Sequence, residues 1–187
     1  LTAHEWFIAI WISGIVLYLL KNVLRVIRTT LVLAQQRRPV SPAERTEIVH
    51  LLSSYGLKRL PKIWLVEDIA QPFVWGVCRG SIYLPKDFLR ITNADHKRDI
   101  LAHEASHIER LDAAVNLVQI LAQAIFWFHP LVWWANRMIR KEREKCCDEM
   151  AIARLKTEAK AYSAALIDTV IRIHNLQRPA PSLAIAG

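Results

Sequence analysis

The chain has 187 residues, of which 53% are hydrophobic and 5 are glycine, and its formal net charge is +8 at pH 7. That length holds one compact domain, or a smaller domain with membrane-embedded parts, and the low glycine content counts against a large, turn-rich β fold. The positive charge could indicate nucleic acid, but the basic residues gather beside apolar stretches, where a bilayer explains them equally well. Because the sequence starts at Leu1 and stops among apolar residues, we expect a segment of a longer protein.

An uncharged stretch rich in Ile, Leu and Trp covers residues 6–20. Such a stretch is shorter than the roughly 20 residues of a straight span, but flanking residues and snorkelling Lys21 and Arg25 add length. We therefore predict a transmembrane helix within residues 1–25, with the cations that follow it on the cytoplasmic side. A buried helix of a soluble protein is the alternative, and a cleaved signal peptide fits less well because the charges follow the apolar run.

A second helix is predicted from its end signals. Ser41, Pro42 and Glu44 form a capping-box pattern at its start, and it should end near Ser54, before Gly56.

Three β-rich segments follow, at residues 63–66, 74–78 and 81–84. With Arg79-Gly80 as a tight turn between the last two, they predict a small antiparallel sheet. An edge strand of such a sheet can hold a substrate backbone, although a sheet that only supplies core is the alternative. The candidate substrate-binding residues are 81–84 or Trp75, Gly76, Val77 and Cys78.

Residues 103–107 read His103-Glu104-Ala105-Ser106-His107, an HExxH pattern on a helix that starts at residues 92–95. Two imidazoles four residues apart share one helical face and can bind a single Zn²⁺, while Glu104 acts as general base toward the attacking water. That arrangement is typical of a metallopeptidase. The alternative is a helix whose two histidines are merely solvated or satisfied in the core.

Residues 113–136 contain 24 positions without a charge. A single membrane crossing would put the cations that follow outside, against the positive-inside rule, and would separate any downstream zinc ligand from the histidines. His129-Pro130 supplies a return, since Pro breaks one helix and opens the next. We therefore predict a helical hairpin with an aromatic tip near His129, at a membrane interface or shallowly inserted; burial in protein is the alternative.

The returning helix carries carboxylates toward the two histidines. Glu144 and Asp148 lie one turn apart on one face, so that one can bind the metal while the other accepts the N–H of a zinc-bound histidine. Glu142 and Glu149 lie nearby. A His₂Glu set with one open position is a catalytic zinc site, whereas the alternative is that these carboxylates pair with neighbouring cations on a solvated helix.

Three cysteines occur, and none has the CxxC spacing of a zinc–cysteine site. Cys146 and Cys147 are neighbours and Cys78 is distant, and such an odd count without a disulfide framework favours a reducing compartment. We interpret them as small packing residues.

Three motifs in this order resemble the BlaR/MecR-type membrane metallopeptidases, metallopeptidase family fifty-six. They are His103-Glu104-x-x-His107, the run FWFHPLVWW at residues 126–134, and Glu142-Arg143-Glu144-x-x-Cys147-Asp148. Residues 71–76 and 82–85 are also similar to the segment ahead of that family's active site.

The resemblance implies a gluzincin-like zinc site with a defined role for each residue. The zinc ligands would be His103, His107 and Glu144, with Glu104 as the base and Asp148 as an outer residue that orients a ligand. The resemblance also implies a cytosolic peptidase that passes on a β-lactam signal by cleavage of a transcriptional repressor. No SxxK motif of a penicillin-binding sensor occurs in the sequence, so we expect a sensor domain or partner outside it.

Together these observations predict a mostly helical α+β fold with a gluzincin-like zincin core, a small antiparallel sheet, a transmembrane helix and a hairpin at the membrane. The expected divisions are residues 1–25, a peptidase domain at 26–175 and a tail at 176–187. The expected function is that of a zinc metalloendopeptidase of the bacterial inner membrane with its active site in the cytoplasm.

Its expected partners are membrane lipid and a protein or peptide substrate such as a repressor, without direct contact to nucleic acid. The alternative is a non-catalytic signalling module with a structural zinc site, which Glu104 disfavours because a structural site needs no base. DNA binding is a weaker hypothesis, because no helix-turn-helix pattern occurs.

Overall fold

The computed structural model describes residues 2–57, 59–67, 69–77 and 79–177. These residues form seven helices and four short strands, so within the described part the predicted mostly helical α+β class is confirmed. In chain order the elements are α1 (Ala3–Gln36), β1 (Arg38–Pro39), α2 (Pro42–Ser53), β2 (Lys62–Val66), β3 (Phe73–Trp75), β4 (Ser81–Pro85), α3 (Phe88–Ile91), α4 (Ala94–Glu109), α5 (Asp112–Ile125), α6 (Pro130–Leu155) and α7 (Ala159–Gln177).

The first helix, α1, is longer than the predicted span and continues to Gln36. It is long and apolar enough to cross a membrane, and none of its apolar stretch is buried among the described residues. Its last turns dock on the sheet, where Leu33 is buried beside Val66 and Tyr83 and the guanidinium of Arg37 covers the Trp64 ring. The exposed apolar stretch counts against the alternative of a buried helix in a soluble protein.

The end signals of α2 act as the sequence predicts. The side chain of Ser41 accepts the N–H of Glu44, the Glu44 carboxylate accepts the N–H of Ser41, and Pro42 opens the helix. Gly56 has a φ of +76°, a left-handed conformation that glycine adopts without a Cβ clash.

The sheet is mixed, and the prediction of a wholly antiparallel sheet is wrong. The strand order is β1-β2-β4-β3, with β3 antiparallel to β4 but β2 parallel to β4. The reason is that β4 is apolar on both faces: Tyr83 packs toward Leu33, while Ile82 and Leu84 join the main core. A strand that is covered on both faces belongs at the centre of the sheet. β4 therefore has β2 on one side and β3 on the other.

The connection between β3 and β4 is also longer than the predicted two-residue turn. The strands end at Trp75 and resume at Ser81, which leaves residues 76–80 between them. Gly76 has a φ of +114°, and a Cβ there would lie 2.9 Å from the carbonyl oxygen of Arg79. Glycine is therefore required at this turn.

The main core lies between the sheet, α2 and α4. Ile48, Leu52 and Ile82 are fully or almost fully buried there against Leu101 and Ala105 of α4. This packing presents the opposite face of α4, which carries His103 and His107, toward α6 and α7.

The structure contains the two helices of the predicted hairpin, whereas their position in a membrane stays a prediction. Leu111 takes a left-handed φ of 57° and separates α4 from α5, and α6 starts at Pro130 after His129. Halfway along the hairpin the buried amides of Gln119 and Asn136 join α5 to α6 by three hydrogen bonds.

Candidate metal centre

Two histidines on α4 and one glutamate on α6 place their donor atoms together. The Nε2 atoms of His103 and His107 lie 3.2 Å apart. The Oε2 atom of Glu144 lies 3.8 Å from the first of them and 3.6 Å from the second. The helical hairpin makes this meeting possible, because it turns α6 back toward α4.

These three side chains fit a zinc ion. A tetrahedral ion with bonds of about 2.0–2.1 Å would separate its donor atoms by about 3.3 Å, close to the distances between the two imidazoles and the carboxylate. Two nitrogens and one carboxylate oxygen are the donor set of a catalytic zinc, and a fourth position is left for water or substrate.

Contacts at its other ring nitrogen hold His103 in place. Its Nδ1 atom lies 2.9 Å from Oδ1 of Asp148 and 3.0 Å from the hydroxyl of Tyr162 on α7. The Tyr162 hydroxyl also donates to Asp148 at 3.1 Å. Burial raises the pKa of Tyr162, and the Asp148 carboxylate raises it further, so the hydroxyl stays a neutral donor.

A different carboxylate orients His107. Its Nδ1 atom lies 2.6 Å from Oδ2 of Asp112, the buried first residue of α5. The Cys147 sulfur lies 3.3 Å from both of these atoms. Two ligands of one tetrahedral ion would be farther apart than 2.6 Å, so we interpret the His107–Asp112 contact as a hydrogen bond that leaves Nε2 free to bind metal.

Two of these orienting residues had no role in the sequence-based prediction. Asp112 directly precedes the uncharged stretch at 113–136 and Tyr162 follows the three quoted motifs, and neither residue was assigned a contact with a ligand. Cys147 is fully buried, as expected of a packing residue, but it also contacts His107. The only sequence signal for Asp112 was a lone carboxylate at the edge of an uncharged stretch.

The charges around His107 favour a cation at this position. Burial by itself would lower the pKa of His107, but its contacts with Cys147, Glu144 and Asp112 outweigh burial and raise that pKa to about 11. The neighbouring His107 ring lowers the pKa of the Glu144 carboxyl group in turn. Burial, followed by the neighbouring His107, lowers the pKa of His103 and keeps its ring neutral. A bound metal would supply the same positive charge that His107 carries here.

Glu104 is buried beside the two histidines. Its burial raises the pKa of its carboxyl group to about 7. Within the described part of the chain no hydrogen bond holds this carboxylate, so it is available to a water molecule. A base with a pKa near the working pH is well suited to take and return a proton.

The strand proposed to bind substrate lies at a sheet edge above α4. Among the described residues β3 pairs with β4 alone, and Gly80, which precedes β4, packs between Val74 of β3 and Ile108 of α4. The indole of Trp75 donates to the hydroxyl of Thr30 on α1, and Val77 is exposed. Cys78, the fourth residue of that prediction, lies outside the described residues.

Comparison with known proteins decides the family. The family described as BlaR1 peptidase M56 matches residues 2–185, nearly the whole chain. The chain belongs to this peptidase family. The M56 resemblance inferred from the three motifs is therefore confirmed.

This M56 chain is similar in sequence to two named regulatory and resistance proteins. It is 27% identical over 185 residues to "Regulatory protein BlaR1" of Bacillus licheniformis, a match that covers 97% of this chain and 30% of that protein. It is 31% identical over 81 residues to "Methicillin resistance mecR1 protein" of Staphylococcus aureus, which covers 43% of this chain and 14% of that protein. The chain thus spans less than a third of the length of either relative.

Proposed function

We propose that this chain is the zinc endopeptidase part of a membrane-anchored signalling protein. The convergence of His103, His107 and Glu144 supports this proposal most directly. Three donors of the zinc-preferred kinds meet next to a buried carboxylate on a helix, in a chain of a peptidase family. We further propose a gluzincin-like core, because two ligands come from one helix and the third comes from a later helix.

Each residue around the centre has a task in peptide hydrolysis. His103, His107 and Glu144 would hold the ion, and Asp148, Tyr162 and Asp112 contact the Nδ1 atoms of the two rings, which leaves both Nε2 atoms for metal binding. The chemistry that a bound zinc supplies is Lewis acidity, which polarises the peptide carbonyl and makes water easier to deprotonate.

Glu104 moves the proton in this proposal. Its carboxylate accepts a proton from the attacking water, and the resulting carboxylic acid then donates that proton to the nitrogen of the leaving amine. Because burial raises its pKa to about 7, both states are accessible near neutral pH.

The free edge of β3 offers a place for the substrate. A peptide that adds to this edge as a further strand would make backbone hydrogen bonds and pass near α4. We therefore assign substrate binding to Trp75, Gly76 and Val77, together with Cys78.

We place α1 across the bacterial cytoplasmic membrane with the metal centre in the cytoplasm. The apolar stretch of α1 supports a span, and the cations that follow it support this orientation. The substrate that we propose is a protein, such as a transcriptional repressor, because one relative is described as regulatory and another as a methicillin resistance protein.

The decisive experiment compares Glu104→Gln with the unaltered full chain in detergent or lipid. Zinc content is measured by elemental analysis, and cleavage is followed by mass spectrometry on a library of proteome-derived peptides. We expect Glu104→Gln to retain zinc and to lose cleavage by at least about a hundredfold, the scale of general base catalysis. The matched control is Glu149→Gln, an exposed change on α6 that should leave both quantities unchanged.

Two outcomes would contradict the proposal. If the unaltered chain binds no zinc, the metal assignment is wrong. If it binds zinc but Glu104→Gln and the unaltered chain behave alike toward all peptides, the site is a structural clasp and the protein signals without hydrolysis.

A further inference from the structure

The hairpin packs against the apolar stretch of α1 rather than against the peptidase core. At its tip the indole of Trp127 donates to the carbonyl oxygen of Trp11, and the indole of Trp11 donates to the carbonyl oxygen of Ile125. Seven residues further along α1, the Tyr18 hydroxyl donates to Gln123 and its ring meets Trp133 edge to face. These contacts fix the level of the hairpin along α1.

Gly14 allows this close approach. A Cβ at Gly14 would lie 2.2 Å from the Trp127 ring, so only glycine leaves room for the indole. The contact between α1 and the hairpin is therefore specific.

This packing places basic residues of α1 and of α6 at the same height along the axis of α1. Counted from the Tyr18–Trp133 pair, Arg25 and Arg140 each lie seven residues further along their helices, or about 10 Å at 1.5 Å per residue. Lys21 and Arg137 lie closer to the pair, and Arg28 and Lys141 lie farther from it. We call these six residues the basic belt: Lys21, Arg25, Arg28, Arg137, Arg140 and Lys141.

The basic belt is exposed and open to a ligand. All six side chains are exposed, and no ion pair or hydrogen bond joins any of them to another side chain in residues 2–57, 59–67, 69–77 and 79–177. Leu17, Leu20 and Leu24 line a groove of about 470 Å³ together with the three α1 cations. Such a surface, which combines aliphatic and cationic side chains, is complementary to an anionic lipid.

Below the belt the hairpin surface is apolar. Phe126, Phe128, Leu131 and Trp134 are all exposed at or near the tip. From the level of Lys21 to the tip contact at Trp11 there are ten residues of α1, about 15 Å, which is half of the roughly 30 Å of bilayer hydrocarbon. An aromatic surface at that depth would be costly in water and favourable in lipid.

We propose that the hairpin is re-entrant: it enters the bilayer beside α1, reaches about the midplane and returns, while the basic belt binds anionic phospholipid headgroups at the cytoplasmic surface. Glu144 lies seven residues beyond Arg137 and three beyond Lys141 on α6, so the metal centre sits about 5–10 Å above the α6 residues of the belt, next to the headgroups. This inference rests on the proposed membrane anchoring of α1 and is independent of the proposed hydrolysis.

Photo-crosslinking tests the depth on the unaltered full chain in vesicles of phosphatidylcholine and phosphatidylglycerol. One lipid probe carries a diazirine at the end of its acyl chain, and a second carries it at the headgroup. We expect the acyl-chain probe to label peptides with residues 126–131, the headgroup probe to label residues 137–145, and neither probe to label α7. A labelled α1 with an unlabelled tip would overturn the re-entrant hairpin, and an unlabelled α1 would overturn both the inference and the proposed anchoring.

Headgroup selectivity is tested with charge variants. Native mass spectrometry compares retained phosphatidylglycerol and phosphatidylcholine on the unaltered chain and on R137Q/R140Q/K141Q. We expect this variant to lose the preference for phosphatidylglycerol by at least about tenfold, since one cation near a lipid surface contributes about fivefold. The matched control is K62Q/K86Q/K160Q, three exposed cations outside the belt. Equal losses in both variants, or no preference in the unaltered chain, would overturn the headgroup site.

Discussion

The Oε2 atom of Glu144 lies 3.6 Å from the Nε2 atom of His107, although the whole of α5 and the first half of α6 separate the two residues in sequence. His107 shares its helix face with His103, and the third donor of the group comes from α6. The hairpin therefore has a direct consequence for chemistry, since its return brings the third donor to the other two.

Removal of the third donor should weaken zinc binding. We expect Glu144→Gln to lower zinc affinity by at least about a hundredfold, above the 10–100-fold effect of outer residues, because a neutral amide is a poor ligand. The measurement is competition with a chromophoric chelator, and Glu149→Gln is the control on the same helix. Unchanged affinity in Glu144→Gln would remove it from the metal site.

Loss of the carboxylate that orients His107 should have a smaller effect. In the native chain the Asp112 carboxylate lies 2.6 Å from Nδ1 of His107. Asp112→Asn replaces this charged acceptor by a neutral amide, so the His107 ring is held less firmly in the tautomer that metal binding requires. We expect zinc affinity to fall by about 10–100-fold. Asp95→Asn, at an exposed position of α4, should leave it unchanged. An equal effect of both changes would indicate a general loss of negative charge instead.

Zinc binding should release a proton in mildly alkaline solution. In the zinc-free protein the pKa of His107 is about 11, so its ring is protonated at pH 8, whereas the lowered pKa of His103 leaves that ring neutral. A ligand must be deprotonated, so we expect about one proton released per zinc and an apparent affinity that rises about tenfold per pH unit between pH 7.5 and 9. Titration calorimetry in buffers of different ionisation enthalpy measures both. A pH-independent affinity in that range would contradict the charge assigned to His107.

The hydroxyl of Tyr162 should support both the fold and the metal centre. Tyr162 is almost fully buried, and its hydroxyl meets His103 and Asp148. Because Phe fills the same space, Tyr162→Phe should cost about 0.5–1.5 kcal/mol of unfolding free energy and also reduce zinc affinity several-fold. Chemical denaturation and chelator competition measure the two effects. Tyr83→Phe, in the sheet, should not change zinc affinity; if Tyr162→Phe does not change it either, Tyr162 has only a packing role.

The contact between α1 and the hairpin should depend on Gly14. An added methyl group would overlap the Trp127 ring, so we expect Gly14→Ala to destabilise the hairpin by about 1–3 kcal/mol, as overpacking does. Hydrogen exchange of α5 and of the start of α6 measures the local opening. Ser13→Ala, one residue away on α1, serves as the control. Unchanged exchange in Gly14→Ala would mean that the hairpin does not pack on α1 in the membrane.

Local sequence patterns determined the elements and the nearby ligand pair. The capping box at Ser41, the helix start at Pro130 and the shared face of His103 and His107 depend on contacts within a few residues, so the chain carries them in short motifs. The family also followed from motif order, which the match over residues 2–185 confirms.

Tertiary structure decided what depends on distant segments. The central place of β4, between β2 and β3, follows from its burial on both faces, and that burial depends on α1 and α4 rather than on the strands themselves. Tyr162 of α7 lies 59 residues from His103, whereas Asp112 lies five residues from His107 and contacts it where Leu111, in a left-handed conformation, ends α4 and turns the chain into α5. Sequence spacing alone could not show either contact, because the Tyr162 contact depends on long-range packing and the Asp112 contact depends on the direction in which the chain leaves α4.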